Sequence, residues 1–464
     1  MRASLLRTFD KIFIVDLHGS ANKQERTPDG SKDENIFDIM QGVSLFVGVK
    51  TTTSKDWAKV YHADLWGLRG HKFENLEKRT LNFCEISPDS KMAYMIPQDD
   101  ALMGSYSSGI LLTELFGVSS AGMVLGRDKL CAQMTQKGIE NVIDNFQHYE
   151  TEALRETFKL GKDSQDWKVE SAKNDILESK GTVTQIAYRP FDDRWTYYTG
   201  LPNGLHCRPR SAVMNHMVTN NANMALCFTR SDKSQETWSM VFVTNKITES
   251  CILTTQTSGI ATVAPLYLHT PNDIDGSEWT PNLSQEAVTR LASNFDTPPE
   301  PIHVFDYCYG ILNDPVYIDK YNDFLKRNYP RIPIPKSSQE FEKYIHAGSR
   351  LRRLHLMQET VPADIQVVPA TNEDLEIGSI KYKDGVLHIN SKKQLHGIPQ
   401  DVWQYRIGGY QVLDKWFKSH KGAVITKKSL EHIMNMVGLL SETVKIRKGL
   451  LADSLHQVEV QSNA

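Results

Sequence analysis

Apolar residues alternate tightly over Lys11–Leu17 and again over Val43–Val49, and both stretches predict buried strands. The loop between them is polar. It carries the turn signal Pro28-Asp29-Gly30 and then Asp33–Gln41, which predicts a short helix with Ile36, Phe37, Ile39 and Met40 on or near its buried face. Residues 2–9 and Gly70–Leu81 predict helices, Lys59–Leu65 a further strand, and Thr51–Asp56 a hairpin-like polar turn. Turn residues then cluster between 85 and 100 (Ser87-Pro88-Asp89, Pro97-Gln98-Asp99-Asp100), and a domain boundary is expected there.

Beyond that point the period changes twice. Asp128–Tyr149, Thr151–Leu160 and Asp166–Ser179 carry helical periodicity. From 182 to 270 short β-rich runs take over: Thr182–Tyr188, Trp195–Thr199, Met224–Thr229, Trp238–Thr244 and Ala261–His269, with a helix expected over Arg208–Met217. Residues 271–299 read as a linker around a helix at Gln285–Asn294. Residues 301–357 are helical with an aromatic-rich face. Residues 366–395 predict two or three strands turning at Lys383-Asp384-Gly385, and 398–450 are helical again before a loose tail at Gln457–Ala464. The expected division is 1–85 and 86–455, with a further boundary near 271–299.

With 464 residues there is room for several domains and a sizeable core. The longest apolar runs are strand-sized, which argues against a membrane span, and no signal-peptide pattern opens the sequence. Six dispersed cysteines without a C-x-x-C pair favour a reducing, cytoplasmic setting and argue against a thiolate metal site. The net charge of −3 is not that of a simple basic nucleic-acid binder, so local charge has to decide. There is no G-x-G-x-x-G, no G-x-x-x-x-G-K-[ST] and no G-x-S-x-G.

The stretch "DKIFIVDLHGSANK…PDGSKDENIFDIMQGVSL" resembles the late part of the methyltransferase domain of type ISP restriction–modification enzymes. The resemblance continues in order through "VYHADLWG", "YRPFDDRWTYY", "RPRSAVMNHM", "VFVTNKITESC", "FDYCYGILNDPVYIDKYNDFLKRNYPRIPIP" and "WQYRIGGYQVLDKW". These phrases look like that family's C-terminal specificity region. The family's glycine-rich cofactor loop and its Asn-Pro-Pro-Tyr motif are not found in this sequence. The resemblance implies a mixed α/β and α+β chain: a C-terminal fragment of a Rossmann-like methyltransferase sheet at 1–85, then a large mixed α/β target-recognition domain. It implies sequence-specific double-stranded DNA as partner, and a separate methyltransferase or helicase half. Transfer of methyl from S-adenosylmethionine to adenine N6 belongs to the full-length family, and this chain alone is expected to bind no cofactor and to be inactive.

Candidate residues follow from chemistry at particular places. Asp16 and His18 stand at a strand end, where functional groups of open α/β sheets gather. His62 and Asp64 stand at what is expected to be a neighbouring end. The four either cap loops or ligate metal as in a hydrolase. Under the resemblance, Asp16, His18, Asp33 and Asn35 lie on the methyltransferase face and Lys32 near DNA. Arg189 and Arg194 lie in an aromatic setting where arginine forks match guanine edges or phosphate, or else pair with Asp192 and Asp193. Arg208 and Arg210 flank Pro209 at an expected helix start suited to a phosphate. Arg230, Lys233 and Lys246 extend the basic set. A basic, aromatic stretch from Lys326 to Arg353 suits backbone tracking or a solvated helix face. Near the end, Arg406 and Gln411 remain for recognition once Trp403, Tyr410, Leu413 and Trp416 are assigned to packing. A protein-interaction module without DNA binding is the remaining alternative.

Overall fold

The computed structural model describes every residue except 22–24, 52–56, 89–92, 98–99, 219–222, 235–236, 257–258, 271–277, 296, 372, 374 and 463–464. Most of the turn expected at 51–56 and the start of the linker expected at 271–299 therefore lie outside the described residues. The chain is a mixture of helices and several small sheets. It divides into two compact units, Met1–Ser105 and Tyr106–Ala464. The division falls later than residue 85 because Ala93 and Met95 pack into the first unit's core with Leu6, Ile12 and Val60.

In the first unit, helix α1 (Arg2–Thr8) leads into β1 (Lys11–Asp16), followed by β2 (Ser44–Val49), β3 (Lys59–Asp64), α2 (Arg69–Lys78) and β4 (Cys84–Ile86). The sheet runs β2-β1-β3-β4. The central pair β1 and β3 is parallel, with Ile14 opposite His62 and Asp16 opposite Asp64. Both outer strands are antiparallel to their neighbours. One face buries Leu6, Ile12 and Val60; the other buries Val15, Leu17, Ile36 and Leu65.

The helix expected over Asp33–Gln41 does not form. Those residues make bends, because their side chains take the backbone partners a helix would need. Asn35 accepts from the Phe37 amide at 2.9 Å, and Asp33 accepts from the Gly67 amide at 2.7 Å. Ile36 is buried as expected, whereas Phe37, Ile39 and Met40 are exposed.

The second unit begins with helices, including Gln136–His148 and Val169–Glu178, and then turns to strands. The hairpin Thr182–Arg189 and Asp192–Tyr198 is joined by Ile247–Thr248 as a three-stranded sheet. A four-stranded sheet orders Val241–Thr244, Ala225–Thr229, Ala261–Pro265 and Ser120–Ala121. Its three longer strands are buried along their whole length, which fits their continuous apolar sequences. A further four-stranded sheet carries the expected turn: Asp384 and Gly385 both have positive φ (50° and 83°), as a type I′ hairpin requires.

Helices Pro301–Asn313 and Ser338–His355 cross closely. A Cβ on Gly348 would lie 1.8 Å from the Asp306 carbonyl, and one on Gly310 2.3 Å from that of Tyr344, so both positions need glycine. Asp306 and Arg352 lock the same crossing with a forked ion pair at 2.6 and 3.0 Å. The last helix, Lys427–Ser462, continues through most of the stretch expected to be a loose tail. Among the described residues no helix is long and apolar enough to cross a membrane.

Candidate nucleic-acid interface

Three of the sequence phrases meet in the second unit. The 182–198 hairpin shifts register between Ala187 and Arg189, and such a bulge re-aims a side chain. Arg189 is turned inward to 5% exposure. It donates to Glu249 at 2.5 Å and stacks its guanidinium 4.0 Å from the Tyr188 ring and 5.8 Å from that of Tyr410. Glu249 also accepts from the Ser250 hydroxyl (2.9 Å) and the Cys251 amide (2.8 Å). Tyr410 donates to the Cys251 carbonyl at 2.6 Å, and Tyr188 to Asp128 at 2.8 Å. "YRPFDDRW", "NKITESC" and "RIGGYQ" thus share one buried ion pair.

Arg189 is therefore not a free fork: its charge is matched inside the protein. Arg194 behaves similarly. It forks onto Asp192 at 3.2 and 3.0 Å and lies 4.0 Å from the Tyr188 ring. Lys246 pairs with Asp193 at 3.1 Å. Lys415 stands 5.3 Å from the Tyr410 ring, and burial, with Arg189 and Arg194 adding repulsion, holds its amine below the usual lysine range. Gln411 donates to the Trp403 carbonyl at 2.5 Å, and Arg406 to that of Gly409 at 3.0 Å.

The expected helix over Arg208–Met217 shrinks to Ser211–Met214. Arg208 instead bridges Val124 through its backbone (3.0 and 3.1 Å), and Arg210 sits in the left-handed region at φ 55°. Arg210 stands at the N-cap of this four-residue helix, and Arg208 lies before it. Arg208 is exposed all the same, with an ion pair to Asp166 at 3.2 Å between two half-exposed side chains. An exposed pair of this kind contributes little and is readily exchanged for another anion. Arg230 and Lys233 are also exposed.

The first unit holds the other candidates. Asp33 and Lys72 are fully buried and paired at 2.8 Å, and Lys72 also donates to the carbonyls of Leu17 and Glu34, both at 2.7 Å. Asn35 donates to the Gly19 carbonyl at 3.0 Å. Gly19 itself, at φ 78°, has no room for a side chain, since a Cβ would lie 2.4 Å from Asn35 Cα. Asp33 and Asn35 therefore fasten the loop. Lys32 is exposed and pairs with Glu34 at 2.7 Å. The loop so fastened holds His18 with Nε2 2.8 Å from Asp64 and Nδ1 3.3 Å from Glu25, its ring stacked on Trp66 at 3.3 Å.

A model of the Type ISP C-terminal specificity domain matches residues 114–448. The chain belongs to this family. No curated protein matches it. Its fold is similar to the ATP-dependent Type ISP restriction–modification enzyme LlaBIII bound to DNA, with TM-score 0.70 and 20% identity over 97% of this chain and 31% of that one. It is also similar to a nuclease-deletion mutant of the Type ISP enzyme LlaGI with a DNA substrate mimic (TM-score 0.65, 17% identity, 97% of this chain and 44% of that one). A DrdV–DNA complex gives TM-score 0.65 and 19% identity over 96% and 48%. The chain spans less than half the length of each.

Within the specificity domain, much of the basic stretch from Lys326 to Arg353 serves internal pairing. Arg352 binds Asp306, Arg350 and Arg353 both reach Glu359, and Arg331 donates to the carbonyls of Ser107 and Gly109. A cavity of about 430 Å³, lined by Trp238, Asp401, Tyr405, Arg406, Arg447 and Lys448 among others, was not foreseen. Its basic residues come from distant parts of the chain, and only the "WQYR" phrase hinted at it.

Proposed function

We propose that the chain recognises a specific sequence in double-stranded DNA, as the specificity part of a Type ISP-like restriction–modification enzyme. The family match over residues 114–448 is the observation that carries this reading. The similarity to three proteins bound to DNA or a DNA mimic supports it. Arg208, Arg210 and Arg230, with Lys32 from the first unit, are proposed to meet phosphates or base edges. Arg189, Arg194, Lys246 and Gln411 are proposed to hold the surface in shape from behind, through Glu249, Asp192, Asp193 and Trp403.

Met1–Ser105 is read as the C-terminal part of a Rossmann-like methyltransferase sheet. The parallel β1–β3 pair with polar groups at its carboxyl ends supports this. So does the outer strand β2, which exposes Leu45, Phe46 and Val47 and would suit coverage by further protein. Binding of S-adenosylmethionine and methyl transfer to adenine are assigned to the rest of such an enzyme.

Fluorescence anisotropy with labelled duplex DNA at rising salt tests the reading. Affinity is expected to fall steeply with salt, and Arg208→Ala and Arg230→Ala are each expected to lower the log–log slope by about 1. Absence of binding at low salt, or binding indifferent to salt, would favour a protein-interaction module instead.

A further inference from the structure

The first unit places a second kind of chemistry at the ends of its two parallel strands. Asp16 and Asp64 stand opposite each other at the carboxyl ends of β1 and β3, one strand spacing apart. His18 follows at once in the loop. Asp16, His18 and Asp64 each present one ligand atom, all within 4.8 Å of one another. Carboxylates at a strand end would be unremarkable alone. The observation that sets this group apart is His62.

His62 lies two residues before Asp64 on β3, so both side chains project from the same face. It is 2% exposed, and neither ring nitrogen has a hydrogen-bond partner among the described residues. A buried imidazole normally satisfies at least its N–H. Its Nδ1 is 3.7 Å from Asp64 Oδ2. That is too long for a hydrogen bond. Bonds of about 2.0–2.1 Å in a tetrahedron put ligand atoms roughly 3.3–3.4 Å apart, so His62, which stands just outside the group of three, would close on Asp64 by a few tenths of an ångström to share its ion.

We propose that Asp16, His18, His62 and Asp64 form a binding site for one divalent transition-metal ion of the zinc class. Two imidazoles with two carboxylates favour zinc-like ions over magnesium or calcium, which prefer oxygen ligands and water. The surroundings fit a fixed site. Trp66 stacks on His18, and Lys72, Asp33 and Asn35 fasten the loop that carries it. Gly19 permits the tight path directly after His18. The ion would add a further tie between the loop after β1 and the end of β3, beside the His18–Asp64 contact, the Trp66 stack, the Asp33–Gly67 bond and the buried Lys72. The geometry suits one ion, not the two-metal arrangement of a hydrolase, and no reaction is assigned to it.

The test uses the full chain, stripped with chelator and titrated with Zn²⁺ by calorimetry and with Co²⁺ by visible absorption. One equivalent is expected to bind, with the intense d–d bands of low-coordinate cobalt and a rise in melting temperature. Asp64→Asn, whose side chain is partly exposed, and His62→Asn are each expected to weaken binding at least tenfold. His148→Gln, which alters an exposed histidine paired with Asp144, is expected to change nothing. Circular dichroism identifies any variant that fails to fold, and Asp16→Asn then replaces it. No saturable binding, or one equivalent that survives both Asp64→Asn and Asp16→Asn, would overturn the proposal and leave the group as an ion-pair clamp around His18. Neither result bears on DNA binding by the second unit.

Discussion

Replacing Arg189 by methionine removes the cation from the ion pair that joins three segments of the specificity domain. Both partners have side chains only 6% exposed. The change leaves the Glu249 carboxylate buried with, among the described residues, the Ser250 hydroxyl and Cys251 amide as its donors. Breaking a buried pair from one side costs about 3–5 kcal/mol. The stacking on Tyr188 at 4.0 Å is lost as well, worth roughly 1–2 kcal/mol where desolvated. The two remaining donors offset part of this, so about 4 kcal/mol is expected. Glu249→Gln in the same background removes the stranded charge, and the double variant is expected to recover at least about 2 kcal/mol. Urea unfolding followed by near-ultraviolet circular dichroism gives the cycle, and anisotropy gives DNA affinity for the same proteins. An Arg189→Met protein within about 1 kcal/mol of the parent would refute the reasoning. So would a double variant that regains stability but loses most of its DNA affinity, because Arg189 would then meet DNA directly.

Other consequences are equally concrete. His206 and His355 are fully buried, and burial pushes their imidazoles down to about 4 and about 3, with Arg447 assisting at His355. The unfolded chain then takes up protons below about pH 6.5 that the folded chain refuses. Stability is present above pH 6.5 and is lost as pH falls toward 4, with a slope of up to about 1.4 kcal/mol per pH unit for each histidine. Chemical denaturation at pH 7, 5.5 and 4.5 checks this, and His206→Gln should flatten the slope. Gly348→Ala should force apart the helices that cross at Asp306 and cost about 3 kcal/mol or more, whereas Gly161→Ala, which has open space but a positive φ, should cost only about 1 kcal/mol. A melting curve for each variant separates the two cases.

The strands of the first unit were legible because alternation over Lys11–Leu17, Val43–Val49 and Lys59–Leu65 is a local signal. The Asp384-Gly385 hairpin was legible for the same reason. The approach of Asp16, His18 and Asp64 to one another follows from two strand ends lying side by side, which the parallel pairing supplies. Failures came where a distant partner decides the outcome. Asp33 and Asn35 look like helix starters until Lys72 and Gly67 claim the Asp33 side chain and Gly19 and Phe37 that of Asn35. Arg208-Pro209-Arg210 reads as the first turn of a long helix, but Val124 takes the Arg208 backbone and the helix begins only after Arg210 and lasts four residues. Arg194 could be matched to Asp192 from sequence proximity alone. The partners of Arg189 and Arg352 lie far along the chain, and no local pattern marks which arginines remain free for a ligand.

The most direct test of DNA recognition is selection of random duplex DNA by the full chain, at two salt concentrations, with sequencing of the bound fraction. The account predicts enrichment of one short asymmetric motif containing adenine, with recovery falling as salt rises. A bound fraction as random as the input at both salt concentrations would contradict it.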